Sequence, residues 1–191
     1  ATLEAPGADD FQAVDVGEVA GEGGKGRGQA HDTHGALVEH LIQAHGKRRI
    51  AFFRGPEDHP LAQERFLAYQ EVLKESGLGF DERLVSPCGN WDRTRGNELI
   101  RLLVDERQLK PGVDFDAVVC VNDNIALGTI MECQARGIRV PDDLAVTGCN
   151  DIHDSRVNMP PVTTVALPGD AQAAGALEVL NALLRREPVQ D

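Results

Sequence analysis

The run Ala117–Val121 is apolar and mostly β-branched, and it stops abruptly at Asn122, Asp123 and Asn124. An apolar helical pattern, Ile125-Ala126-Leu127-Gly128, begins at once. Unbroken apolarity over a strand length predicts a strand covered on both faces, as in a parallel sheet. Asn122, Asp123 and Asn124 then stand at the carboxyl end of that strand. Open α/β sheets receive their ligands at that edge. Whether other strands bring polar groups to the same edge decides what the chain can do.

Four such units recur. Ile50–Phe53 is a predicted strand leaving through Arg54–Asp58, and the helix Pro60–Ser76 follows, stopped by Gly77. Arg83–Ser86 is the predicted second strand, with the outgoing loop Pro87–Asp92 and a helix over Arg95–Glu106. Ala117–Val121 is third, followed by a helix over Asn124–Arg136 that Gly137 closes. Leu144–Gly148 is fourth, ending at Cys149-Asn150-Asp151. Short apolar strands alternating with helices of about twelve residues predict βαβ units. Right-handed crossovers place the helices on both faces, a doubly wound parallel sheet of Rossmann type. After Asp151 the rhythm breaks. Met159-Pro160-Pro161 imposes an extended turn, Val162–Val165 is a short predicted strand, and Asp170–Glu187 an amphipathic helix.

The first 30 residues carry little structural signal beyond a short predicted strand at Phe11–Val16. Gly21–Gly28 formally matches G-x-G-x-x-G, a phosphate cradle when it joins a strand to a helix. No strong strand leads into it and no apolar helix starts directly after it, so it reads as a linker. His31-Asp32-Thr33-His34 offers too few ligands for a metal and reads as a solvated turn, with Asp32 or Thr33 capping a helix over Gly35–Ala44.

Charge and cysteine usage exclude several classes. The formal net charge of −12 argues against this segment gripping a phosphate backbone, which needs clustered Lys and Arg. No apolar run approaches the 18 or so residues of a membrane helix. Cys88, Cys120, Cys133 and Cys149 form no C-x-x-C, and no metal or cofactor site is predicted. Cys120 and Cys133 are expected as core residues in a reducing, cytoplasmic setting, with Cys149 the more exposed. No nucleophile–base pair supports catalysis, so no enzyme is predicted.

The strand ends share one character. They supply Glu57 and Asp58 with Arg65 just inside the next helix, then Asn90, Trp91 and Asp92, then Asn122 and Asp123, then Asn150 and Asp151. Amide and carboxylate groups supply donors and acceptors, Arg a planar fork, and Trp a flat apolar wall. Asp58, Arg65, Trp91, Asn122, Asp123 and Asn150 are therefore the candidate ligand-binding residues, suited to a sugar, a purine or an amino acid. Each has a plainer role as well. Asp123 or Asn124 caps a helix, Asp151 a turn, Arg65 lies on a helix surface, and Trp91 fills a core.

From about His40 to Glu187 the chain resembles the effector-binding region of the lactose-repressor (LacI/GalR) family, which has the type I periplasmic-binding-protein fold. The resemblance rests on Val38–Leu41, Gly46–Phe52, Gly55-Pro56-Glu57, Arg65–Tyr69, Val121-Asn122-Asp123 with Ala126-Leu127-Gly128, Gly137–Asp143, and Gly148 through Asn150-Asp151 to Pro160–Val165. It implies a non-enzymatic sensor of a small-molecule effector, with contacts at Arg65, Trp91, Asn122 and Asn150. The last replaces the family's usual Asp. It also implies two lobes with the ligand between them, and a homodimer that meets DNA only through a module absent here.

Fewer than fifty residues precede the C-terminal lobe, no initiator Met is present, and no closing strands follow the last helix. The expectation is a piece truncated at both ends. Residues 1–30 would be linker or N-lobe remnant, 31–45 a crossover helix, 46–159 the C-terminal effector lobe, and 160–191 the strand and helix returning to the N-lobe. Two alternatives stand beside this reading. One attaches the same sensor to a signalling enzyme such as a diguanylate cyclase or kinase. The other is a Rossmann-like enzyme whose Gly-rich run is an ordered phosphate loop.

Overall fold

A computed structural model describes residues 29–167 and 169–185. The Gly21–Gly28 run and the expected Phe11–Val16 strand lie outside the described residues. Three strands, β1 (Ile50–Phe53), β2 (Ala117–Cys120) and β3 (Ala145–Thr147), form a sheet in that order. Both pairings are parallel, with Ile50 beside Ala117 and Ala117 beside Ala145. Single parallel bridges extend the sheet, Phe52 to Val85 on one side and Thr147 to Thr163 on the other. The spatial order is thus second segment, first, third, fourth, fifth, the flavodoxin-like doubly wound arrangement.

The two outer segments are shorter than their composition predicts. Glu82–Leu84 is a turn of 3-10 helix, because the Asp81 carboxylate accepts from the Arg83 amide at 2.9 Å and holds the turn. Val85 and Ser86 pair with β1, by a single bridge to Phe52 and by the Ser86 amide donating to the Phe52 carbonyl at 3.0 Å. At the other side Pro160 and Pro161 lack amide donors, so the segment pairs only at isolated positions such as Thr163 and Ala166.

Six α-helices are described: α1 (Gln29–Gln43), α2 (Pro60–Glu75), α3 (Arg93–Arg101), α4 (Asp123–Ala135), α5 (His153–Val157) and α6 (Gly169–Arg185). The α3 helix runs on through a π turn, Leu102–Glu106. Period-two alternation sorts the strand side chains between two layers. Ile50, Phe52, Ala117, Val119 and Ala145 pack with Val38 and Leu41 of α1 and Tyr69, Val72 and Leu73 of α2. Ala51, Phe53, Val118, Cys120 and Val146 pack with Leu99 and Ile100 of α3 and Ile125 and Ile130 of α4. All the strand residues are buried, as a sheet covered on both faces requires.

Two local expectations change. The α1 helix starts at Gln29, so Thr33 and His34 are helical rather than a solvated turn. His34 is fully buried, its ring edge-on to Phe52 at 6.3 Å. Cys149 is also fully buried, because its carbonyl accepts from the Asp123 amide at 3.0 Å and ties it under α4. Burial raises its thiol to about 11, which leaves it inert near neutral pH. The apolar face of α6, by contrast, is uncovered as expected of a helix that returns to another lobe, with Leu177, Leu180, Leu183 and Leu184 exposed.

Candidate functional site

The carboxyl edge of the sheet carries the polar groups, and Arg65 is its centre. The residue sits in the second turn of α2 and is only 4% exposed. Its Nη1 donates to the carbonyl of Val121, just past the end of β2, at 2.6 Å. Its Nη2 reaches the Asn150 Oδ1 at 3.5 Å, while its Nε makes no hydrogen bond. A buried guanidinium with an unused N–H is an unspent donor, and such donors are rare in folded proteins. His34 lies close enough for the Arg65 charge to reach it. Burial first, and that charge second, hold the imidazole well below its ordinary value and therefore neutral.

Asn150 is aimed by its backbone. Asn150 and the next residue, Asp151, both adopt positive φ, 120° and 53°; Asn and Asp tolerate such φ better than other non-glycine residues, and 120° at Asn150 is the more strained of the two. Neighbouring hydrogen bonds hold the strained pair. The Asn150 amide donates to Val165 at 2.9 Å, and the Ile152 amide to Asp123 Oδ2 at 2.9 Å. Arg156 grips the Asp151 carboxylate through Nε and Nη2. The loop is thereby fixed with the Asn150 side chain facing Arg65.

Trp91 forms the other end of the row. It is half-buried, and its ring lies over Gly55, where an added Cβ would stand 3.1 Å from the indole. His59 meets the ring edge-on at 5.1 Å. Asn122 links this wall to the centre. Its Nδ2 donates to the Trp91 carbonyl at 3.1 Å, and its Oδ1 caps α4 by accepting from the Ile125 amide at 2.9 Å. Both ends of the Asn122 side chain are therefore engaged within the protein. Asp123 is fully buried and accepts from Ile152 and from the Thr164 hydroxyl. Burial raises its carboxyl above the ordinary value, and those hydrogen bonds pull the other way.

The structure thus brings Trp91, Asn122, Arg65 and Asn150 into one row along the edge. Asp58 stands exposed on the loop after β1, and Asp123 faces inward beneath the row. Sequence reasoning missed three supports: His59, Gly55 and His34. A His one residue before a helical proline and a Gly after a strand carry no distinguishing pattern of their own. Two surface clefts lie elsewhere, one of about 320 Å³ at the amino end of the sheet beside Arg48 and Asp81, one of about 400 Å³ beside Ile138 and Pro160. Among the described residues no group of three metal-ligating side chains gathers, and no helix is long and apolar enough to cross a membrane.

Comparison with known proteins agrees with this fold. Residues 38–191 match the family model of the periplasmic binding protein-like domain. The transcriptional regulator GalR of Escherichia coli is 32% identical over 162 residues, covering 84% of this chain and 45% of that protein. A LacI-family regulator from Mycobacterium smegmatis superposes with a TM-score of 0.76 at 32% identity, covering 85% of this chain and 58% of that one. The complex of the regulator CelR with cellobiose superposes with a TM-score of 0.70 at 30% identity, covering 84% and 46%. The chain spans less than half the length of the curated relatives it matches. It belongs to the periplasmic-binding-protein-like family, among the LacI/GalR transcription regulators.

Proposed function

We propose that this chain is the effector-sensing lobe of a LacI-type regulator, and that it binds a small polar molecule, a sugar, a purine or an amino acid, at the carboxyl edge of its sheet. The observation that carries the reading is Arg65, buried at the edge with its Nε unspent and Asn150 turned toward it. Ring hydroxyls or ring nitrogens would take up the guanidinium and the amide, while an apolar ring face rests on Trp91. Asn122 acts in this scheme chiefly by holding the Trp91 backbone, and Asp123 by holding the strained loop. Asp58 would close over the ligand from the rim.

Residues 46–159 form the sensing lobe in this account, and residues 160–191 return to a second lobe. The exposed leucines of α6 support that return, since an apolar helix face calls for a covering partner. Ligand held between two lobes would favour their closed arrangement and so shift the affinity of an attached DNA-binding module. The same logic would serve a homodimer acting in the cytoplasm.

The test follows Trp91 fluorescence while cellobiose, D-galactose, adenosine and hypoxanthine are titrated in turn to about 10 mM. At least one compound should give a saturable change that Arg65→Met abolishes. A change of equal size and affinity in the Arg65→Met variant would refute the assignment.

A further inference from the structure

Arg65 carries a charge that nothing around it balances. Guanidinium groups stay positive, so burying one calls for a carboxylate partner or a full set of hydrogen bonds. Arg65 is 4% exposed, yet among the described residues it forms no ion pair. The two acids beside the strained loop are committed elsewhere. Asp123 accepts from the Ile152 amide and the Thr164 hydroxyl, and Asp151 is gripped by Arg156. The residue that does face the guanidinium is Asn150, an uncharged amide.

The hydrogen bonds of Arg65 also spare one edge of the group. Nη1 is taken by the Val121 carbonyl at 2.6 Å. Nε makes no hydrogen bond, and Nη2 meets Asn150 Oδ1 only at 3.5 Å, the outer limit of such a bond. Nε and Nη2 together form the side-on fork that receives both oxygens of a carboxylate. Other arginines of this chain close the same fork in that way. Arg101 takes Glu132 with both arms at 2.9 Å, Arg139 takes Asp143 at 3.0 and 2.6 Å, and Arg83 takes Asp81 at 3.1 and 2.7 Å. On Arg65 the fork stands open, with the exposed Asn150 resting loosely beside it.

On the reading of this edge as the effector site, we propose that the effector bears a carboxylate, and that the Nε–Nη2 fork of Arg65 takes its two oxygens in place of the long Asn150 contact. The Asn150 Nδ2, which has no partner among the described residues, adds a third donor. Trp91 carries the body of the ligand on its flat apolar face. Uronic acids, aldonic acids and free amino acids share this chemistry. A neutral sugar would leave the buried cation unpaired, whereas an acid pairs it, and that difference sets the selectivity. The formal net charge of −12 opposes an anion at long range. Salt near 0.15 M screens that repulsion beyond about 8 Å, while the fork acts at contact.

Calorimetric titrations and thermal melts of the chain with D-galactose, D-galacturonate, D-glucuronate, D-gluconate and L-glutamate test the proposal. At least one acid should bind at least about tenfold more tightly than D-galactose. At about 10 mM it should raise the thermal midpoint by about 2 °C or more. Whether the sugar acids or L-glutamate respond tells which class supplies the carboxylate. Asn150→Asp provides a counter-ion from the protein itself. It should raise the ligand-free midpoint and weaken the acid at least about tenfold. Arg65→Lys keeps the charge but loses the fork, and should weaken the acid similarly. Binding of D-galactose as tight as that of every acid, abolished by Arg65→Met, would overturn the proposal and leave the edge standing as the effector site. An acid bound unchanged by Arg65→Met would overturn both. No binding of any acid up to about 10 mM, or an unchanged ligand-free midpoint in Asn150→Asp, would overturn the proposal as well.

Discussion

Thr164 and Asp123 lie 41 residues apart in the chain, and the hydroxyl of one donates to the buried carboxylate of the other at 2.5 Å. The same carboxylate accepts from the Ile152 amide, so a single side chain at the start of α4 secures both the strained Asn150-Asp151 loop and the last bridging segment. Thr164→Val removes the donor and leaves a buried carboxylate oxygen unsatisfied. The loss should be about 1–3 kcal/mol.

The pH dependence of that loss has a definite sign. Burial raises the folded-state pKa of Asp123 above its unfolded value, so ionisation opposes folding as pH rises through the folded value. Removing the Thr164 donor raises it further. The deficit of Thr164→Val should therefore be largest at high pH, where the carboxyl is ionised, and narrow as pH falls through the folded-state value of Asp123, as denaturant melts along a pH series will read.

Glu132 behaves in the opposite way. It is 5% exposed, and Arg101 and Arg136 grip it at 2.9 and 2.8 Å. Hydrogen bonds from Arg101, and then Arg136 and Asn97, lower its carboxyl from 4.5 to about 2. Its contribution is complete above about pH 4.5 and is lost as pH falls toward 2. Because Arg101 is well exposed, solvent screening limits the contribution to about 1 kcal/mol. Glu132→Gln should lose that amount near neutral pH, and its acid-unfolding curve should lack the corresponding step.

Gly96 and Gly128 let α3 and α4 touch backbone to backbone. A Cβ at Gly128 would stand 1.8 Å from the Arg93 carbonyl oxygen, and one at Gly96 would stand 2.1 Å from that of Ile125. Neither obstacle is a side chain that can turn aside. Gly128→Ala should force the helices apart and cost at least about 3 kcal/mol, read as a lowered thermal midpoint.

Much of the fold was legible because burial on both faces leaves an unmistakable trace. Ile50–Phe53 and Ala117–Cys120 are continuous apolar runs, and the helices between them repeat at helical spacing. The outer segments were overestimated, because single bridges at Val85 and Thr163 need no full strand and local turn chemistry wins there. The start of α1 was missed because His34 is polar by type yet is covered by tertiary contacts that no local pattern records. At the candidate site, strand ends named the right edge, but residue type could not divide the labour along it. Asn122 and Asp123 look like ligand donors and prove to be committed to the protein's own backbone and loop. The positive φ at Asn150 and Asp151 follows from residue type only as a tolerance, since Asn and Asp accept that conformation but occur as often without it.

Arg65 is the group proposed to read the ligand. Its Nε–H has no protein partner, so its resonance in proton–nitrogen correlation spectra reports directly on an arriving acceptor. With whichever of cellobiose, D-galactose, adenosine or hypoxanthine binds, that resonance and the Trp91 indole N–H should shift together and saturate at one common concentration. Shifts confined to the clefts around Arg48 or Ile138, with Arg65 unmoved, would contradict the account.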